Sequence, residues 1–279
     1  MASPAGIAGV FDRAADTYDN VGVEWFRPIA AGLVEELKPQ PGERALDIGC
    51  GRGAALRPLA EAVGPSGYAL GVDLAPAMVT RTAADLRELP QVEVRVADAR
   101  TPGLPPSSFD VVASSLVLFF LSDPGAALRE WARLLRPGGR LGVATFGPQD
   151  ERWRRVDAVF TPYLPPALLD ARTSGTRGPF ASDAGVAELL RGAGLVDVRT
   201  ASRTVAVAFR DADQLLAFSW SHGQRAMWEA VPVAEHGAVR QRITDVVGEW
   251  ADDTGGFTFD QHVRYTLARS GSPLSAHGS

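Results

Sequence analysis

The sequence predicts an α/β fold, a parallel sheet with helices on both faces and a helical cap over one edge. Three observations carry this expectation. Between residues 41 and 147 short apolar runs alternate with helical segments, the pattern of βαβ units. The first of those runs, "RALDIG", leads into Gly49, Gly51 and Gly53, and glycine at that density marks a chain that turns sharply or lets a ligand come very close. Two later stretches rich in proline and aromatic residues break the alternation, and loops that long are seldom idle in a compact domain.

The elements follow in order. Residues 1–40 read as an N-terminal helical lid: Val10, Phe11, Ala14, Ala15 and Tyr18 recur at helical spacing, and a second amphipathic piece runs from Glu24 to Leu37, where Pro39 and Pro41 stop it. Residues 41–147 form the core, with strands at "RALDIG", "YALGVDL", "VEVRVAD", "FDVVASS" and "GRLGVATF". The intervening helices are expected near Gly53 to Val63, Pro76 to Leu89 and Pro124 to Leu135. Asp123 before Pro124 is a helix start, and Arg136-Pro137-Gly138-Gly139 turns the chain into the next strand. Residues 148–181 are a first cap insertion; 182–210 supply a capped helix and a long strand; 211–255 are a second, helical cap insertion. The final strand lies in 256–269, and 270–279 are a small, polar tail.

Composition narrows the function. The 279 residues are 46% hydrophobic, ordinary for a globular protein, and no apolar run approaches the roughly 20 residues needed to span a bilayer. Neither a signal peptide nor a membrane span is expected, which points to the cytoplasm. The single cysteine, Cys50, excludes an internal disulfide. A net charge of -5 argues against a nucleic-acid partner, whose phosphates call for concentrated positive charge.

The glycine loop raises a choice of ligand. Gly49, Gly51 and Ala54 satisfy the loose G-x-G-x-x-G/A pattern of dinucleotide sites. Asp47, two residues before the loop, decides against that reading: a fixed carboxylate repels a pyrophosphate and attracts a positive head such as an α-ammonium. Asp73 ends the second strand, where a carboxylate accepts both hydroxyls of a ribose, and Asp98 ends the third, where it can accept from a purine amine. Ammonium, ribose and adenine together describe S-adenosylmethionine.

Five segments, "LDIGCGRG" (46–53), "GVDLAPAMV" (71–79), "VADAR" (96–100), "FDVVASSLVLFFL" (109–121) and "LLRPGGRLGVATF" (134–146), resemble in order and spacing a class I S-adenosylmethionine-dependent methyltransferase of the small-molecule type. The opening "FDRAADTYD" is similar to the helix that closes over the cofactor in the ubiquinone and menaquinone branch. The resemblance implies a Rossmann-like seven-stranded sheet in order 3-2-1-4-5-7-6 with the last strand antiparallel. It further implies that Asp47, Gly49 and Gly51 meet the methionine end, that Cys50 and Gly53 belong to the same cofactor-binding loop, and that Asp73 holds the ribose. Leu74 and Met78 would face the adenine, Asp98 and Ala99 its amine, Ser115 would offer backbone to the amino-acid part, and Tyr18 would close from the lid.

Methyl transfer from a sulfonium mainly demands alignment in a dry pocket, and a base only where the acceptor must lose a proton. His222, in "FSWSHGQRAMWEAVP", is the histidine best placed for that role, with Glu229 expected on the same helix face; a helix-packing role competes. Phe119, Trp153, Tyr163, Trp220 and Trp228, with His222, are the expected acceptor pocket, which suits a small, largely hydrophobic metabolite from secondary metabolism or a quinone-like acceptor methylated at O or C. Ser115-Leu116-Val117-Leu118 lacks the [DNS]-P-P-[YFW] of enzymes that methylate nucleobase or glutamine nitrogens, and no metal is expected. Two alternatives stand beside this reading. One is a scaffold of the same fold that binds S-adenosylmethionine but catalyses a cyclisation, isomerisation or decarboxylation. The other is a nicotinamide-dependent oxidoreductase, disfavoured by Asp47 and by the absence of a Tyr-x-x-x-Lys pair, Lys38 being the sole lysine.

Overall fold

The computed structural model describes residues 4–165 and 176–271, so the expected tail with His277, and residues 166–175 of the first cap insertion, lie outside the described residues. Seven strands form one sheet in the order β3-β2-β1-β4-β5-β7-β6. They are β1 (Arg44–Ile48), β2 (Tyr68–Asp73), β3 (Val92–Val96), β4 (Phe109–Ser115), β5 (Leu135–Gln149), β6 (Leu195–Phe209) and β7 (Phe257–Ser270). The first five pair in parallel; β7 runs antiparallel to both β5 and β6, as expected. The strand order reverses between β1 and β4, and their C-terminal ends open the crevice where a sheet of this kind takes its ligand.

Helices cover both faces because the central strands are apolar on both sides; Ala45, Leu46 and Ile48 of β1 are all fully buried. On one face α2 (Phe26–Leu37) lies across β4 and β5 and buries Ile29, Leu33 and Leu37. The other helices of the core are α3 (Leu56–Val63), α4 (Pro76–Asp85) and α5 (Pro124–Leu134), followed after β5 by α6 (Glu151–Ala158) and α7 (Asp183–Gly192). Asp123 accepts from the Ala126 N–H at 2.8 Å and Ser182 from the Gly185 N–H at 3.1 Å, so both expected caps form.

Several boundaries differ from expectation. β5 begins at Leu135, so Arg136 to Gly139, expected as a turn ahead of the strand, form a bulge within it where the register on β4 shifts between Phe109 and Val111. The helix after the glycine loop begins at Leu56, because Gly53 holds φ +81° and keeps the turn open. The next one ends at Asp85, where residues 86–89 become a turn closed from Leu89 N–H to Leu86 O ahead of Pro90. In the lid, α1 (Pro4–Ala14) stops well short of α2, with turns and extended chain between.

The second insertion folds as α8 (Ala212–Trp220), α9 (Arg225–Ala230) and α10 (His236–Gly248) rather than as one continuous helix. The break between α8 and α9 puts His222 in a turn, while Glu229 sits on α9 and binds Arg13 and Arg225, so the expected shared helix face does not exist.

Gly32 illustrates how tightly α2 docks. A Cβ there would lie 2.3 Å from the hydroxyl of the fully buried Tyr265 on β7. Alanine normally gains about 1 kcal/mol over glycine inside a helix. Here the clash reverses the sign, and Gly32→Ala is expected to destabilise by about 1–3 kcal/mol, lowering the thermal midpoint by a few degrees in calorimetry.

Candidate functional site

The loop after β1 is bent so that two amides share one acceptor: the N–H groups of Gly49 and Cys50 both donate to Val72 O, at 2.8 and 3.0 Å. Gly49 and Gly51 have φ +72° and +48°. At Gly49 a side chain is excluded twice over, since a Cβ would stand 2.3 Å from the Val117 methyl carbon. Beside the bend, Asp73 accepts the Gly51 N–H with Oδ2 at 2.8 Å and the Ala75 N–H with Oδ1 at 2.9 Å. Its carboxylate is thereby fixed at the end of β2 with lone pairs to spare. Burial raises its pKa, against the pull of those N–H groups.

Asp47 is the unusual group. It is 1% exposed, and neither carboxylate oxygen has a hydrogen-bond partner. Burial first, and the charge of Asp73 second, push its pKa to about 8, only weakly opposed by the backbone N–H of Leu56 at the start of α3. It lies beneath the bend and does not line the cavity. An unpartnered buried carboxyl is costly in a folded protein.

Above the bend a cavity of about 340 Å³ runs along the C-terminal strand ends. Of the expected cofactor residues, Tyr18, Gly49, Gly51, Asp73, Leu74, Met78, Asp98, Ala99 and Ser115 line it. Asp98 stands at its far end, clasped by Arg100, whose guanidinium holds the carboxyl below its usual range. Cys50 and Gly53, like Asp47, support the loop from behind the wall. Burial pushes the Cys50 thiol well up, which suits a filler rather than a nucleophile.

The lid completes the enclosure. Phe11 of α1 meets Phe120 edge-on at 5.8 Å and Tyr18 at 6.1 Å, and all three rings line the cavity. Burial and the nearby charges of Asp19 and Asp73 keep the Tyr18 phenol protonated. Sequence reasoning missed Phe11, Phe120 and Arg100 as wall residues. Phe11 was visible as an apolar helix position, but only the fold turns that face toward the loop. Leu116, also on the wall, holds φ +59° immediately after β4, a strained conformation for a branched residue at a ligand site.

None of the expected acceptor residues lines this cavity. Phe119 points inward against Phe146 and Phe180. Trp153 packs against Trp25, Phe218 and Phe259. Trp228 is fully buried and donates to Ser219 Oγ at 2.7 Å, while Trp220 stacks on it at 5.3 Å. Tyr163 reaches Glu235 at 3.3 Å on the outer side of the cap. His222 lies behind Phe26, 5.9 Å between rings, and its Nδ1 is 2.6 Å from Phe218 O, so Nδ1 carries the proton and donates. His262 pairs with Thr204, and His236 reaches Val231 O. Arg52 of the glycine loop is half-buried and bonds Ala15 O of the lid and Asp85.

A family model described as a methyltransferase domain matches residues 46–143. The chain is 41% identical over 273 residues to nocamycin O-methyltransferase of Saccharothrix syringae, covering 93% of this chain and 97% of that one. It is 42% identical over 166 residues to an aklanonic acid methyltransferase of a Streptomyces species, covering 59% and 76%. The fold matches Haemonchus contortus phosphoethanolamine N-methyltransferase 2 bound to S-adenosylhomocysteine with a TM-score of 0.54 at 17% identity, covering 87% of this chain and 52% of that longer one. That distant likeness speaks to fold alone.

Asp47 has a consequence for stability. Its folded pKa of about 8 lies far above an unfolded aspartate's, so the folded chain holds a proton that the unfolded chain releases above about pH 4, and this group's effect on stability worsens as pH rises from there to 8. Asp47→Asn is therefore expected to raise the thermal midpoint of the ligand-free protein, by more at pH 8 than at pH 5; an equal difference at both pH values would contradict this assignment.

Proposed function

Since the chain belongs to the class I S-adenosylmethionine-dependent methyltransferases, we propose that it methylates an oxygen or carbon of a small, largely hydrophobic secondary metabolite. The observation that carries this reading is the pairing of a buried, unpartnered carboxyl at Asp47 with a glycine bend that tolerates no side chain. S-adenosylmethionine is the methyl donor of this class, and when bound it supplies a methyl group activated on a sulfonium.

The residues present fit that group. Asp47, one layer below the wall, would give the bend a negative potential complementary to an ammonium, and Asp73 would accept ribose hydroxyls with its remaining lone pairs. Leu74 and Met78 would offer apolar surface to the adenine, and Asp98 would accept from its amine. Phe11, Tyr18 and Phe120 would keep water out and leave an apolar entrance for the acceptor. The relative named for O-methylation favours oxygen as the acceptor atom. His222, one ring behind the wall, would act by holding Phe26 and Tyr18 in place rather than by touching the acceptor. The net charge of -5 supports a small molecule over nucleic acid as substrate, and the one buried thiol is compatible with the cytoplasm.

Incubation with methyl-labelled S-adenosylmethionine and a panel of apolar hydroxyl, enol and carboxyl compounds tests the reading; label must appear in product. Asp73→Ala is expected to weaken S-adenosylhomocysteine by about tenfold or more in calorimetry, the scale of lost charge-assisted hydrogen bonds. Because Asp47 is largely protonated at neutral pH until a cation approaches, cofactor binding is expected to release a proton and to tighten from pH 6 toward pH 8. Titrations in buffers of different ionisation enthalpy measure that proton, and Asp47→Asn abolishes it.

A further inference from the structure

We infer that Trp131, a core residue that does not touch the cavity, is a positioning residue for recognition of the adenine amine. It acts through a single peptide unit that sets the direction of the Asp98 carboxylate. The inference rests on the cofactor reading given above.

Trp131 lies on α5 and is fully buried. Its indole N–H donates to Ala99 O at 2.7 Å. The same peptide plane carries the Arg100 N–H, which donates to Asp98 Oδ1 at 2.9 Å. A peptide unit is rigid and planar, so fixing its carbonyl from the core also fixes the direction of its N–H. The carboxylate that accepts from that N–H is aligned in turn. The loop is held at two further points, by Ala97 N–H to Asp73 O at 2.9 Å and by Thr101 N–H to Asp98 O at 3.0 Å.

The occupancy of Asp98 leaves a place for a ligand. Oδ1 takes the Arg100 backbone N–H and Nε, and Oδ2 takes Nη2 at 2.6 Å and shares Nε at 3.1 Å. A lone pair of Oδ2 remains. Ionised as Arg100 holds it, this carboxylate can only accept, so it favours a ring position bearing an amine over one bearing a carbonyl. Selectivity of that kind needs the oxygen aimed at the amine, and the aim is what Trp131 supplies.

Calorimetry with S-adenosylhomocysteine and S-inosylhomocysteine, in which a carbonyl replaces the amine, reads this directly. The wild-type chain is expected to prefer the adenosyl ligand by about tenfold or more. Trp131→Phe keeps the ring bulk and removes the N–H; it is expected to cut that preference by about fivefold, chiefly by weakening the adenosyl ligand. Equal weakening of both ligands, or an unchanged preference, overturns the inference. A wild-type chain that binds neither ligand sinks the cofactor reading instead. Should Trp131→Phe fail to fold, the other end of the peptide can be tested in the cavity loop: Arg100→Pro removes the N–H and side chain, Arg100→Ala the side chain alone. Loss of preference in the proline variant only supports the inference; the same preference in both overturns it.

Discussion

The structure depends on a carboxyl placed where water cannot reach it. Asp47 is carried into the interior by the strand that forms the centre of the sheet, and the glycine bend closes over it without offering a hydrogen bond. An uncharged acid is the form such a site tolerates, which is why burial and Asp73 together drive its pKa to about 8. The site is thus held in a state that only an approaching cation improves. On the proposed reading that cost would favour an ammonium over a diphosphate, since a cation draws out the negative charge of Asp47 while an anion gains nothing from it and faces Asp73 as well.

The core was legible in the sequence because its features are local. β1 to β5, the caps at Asp123 and Ser182 and the acids at the strand ends each follow from a few consecutive residues, and the parallel order then brings Asp73, Asp98 and Ser115 to one mouth. The cap was illegible for the opposite reason. "FSWSHGQRAMWEAVP" has the apolar content of one long helix, and composition alone does not reveal the turn at 221–224 that ends α8. Its aromatics were expected to face a substrate, yet Trp228 spends its surface on Phe160 and Trp220, and Phe218 on Trp25 and Phe209, as a continuation of the sheet's own core. Large rings bury well wherever neighbours are available, so an aromatic-rich insertion is not by itself a pocket.

The cavity wall instead takes its rings from the two segments nearest the bend. Phe120 follows β4 and Phe11 comes from α1, and neither could be assigned to the site without knowing how the lid lies. The lid is held on two sides. Asp12 accepts the Ala77 N–H at 2.8 Å, in the first turn of α4, while Arg13 pairs with Glu229 of α9, which also receives Arg225 at 3.0 Å. One helix therefore bridges the cofactor-side core and the cap, and Arg52 from the glycine loop reaches Ala15 O to join the same assembly.

This bridging gives the aromatic contacts a direction. Phe120, Phe11, Tyr18 and Phe26 follow one another ring to ring, with separations of 5.8, 6.1 and 4.4 Å, and Phe26 then meets His222 and Phe218. Tyr18 sits midway, on the cavity wall and stacked on Phe26 of α2 at once. Close-packed rings of this kind shift together or not at all, because a gap of even half an ångström forfeits much of the contact energy. Displacement of α1 consequently disturbs the roof over Gly51 and the packing around His222 in one movement. The histidine that the sequence put forward as a reacting group is tied to the site by this packing, through Phe26 and Tyr18, rather than by contact with the cavity.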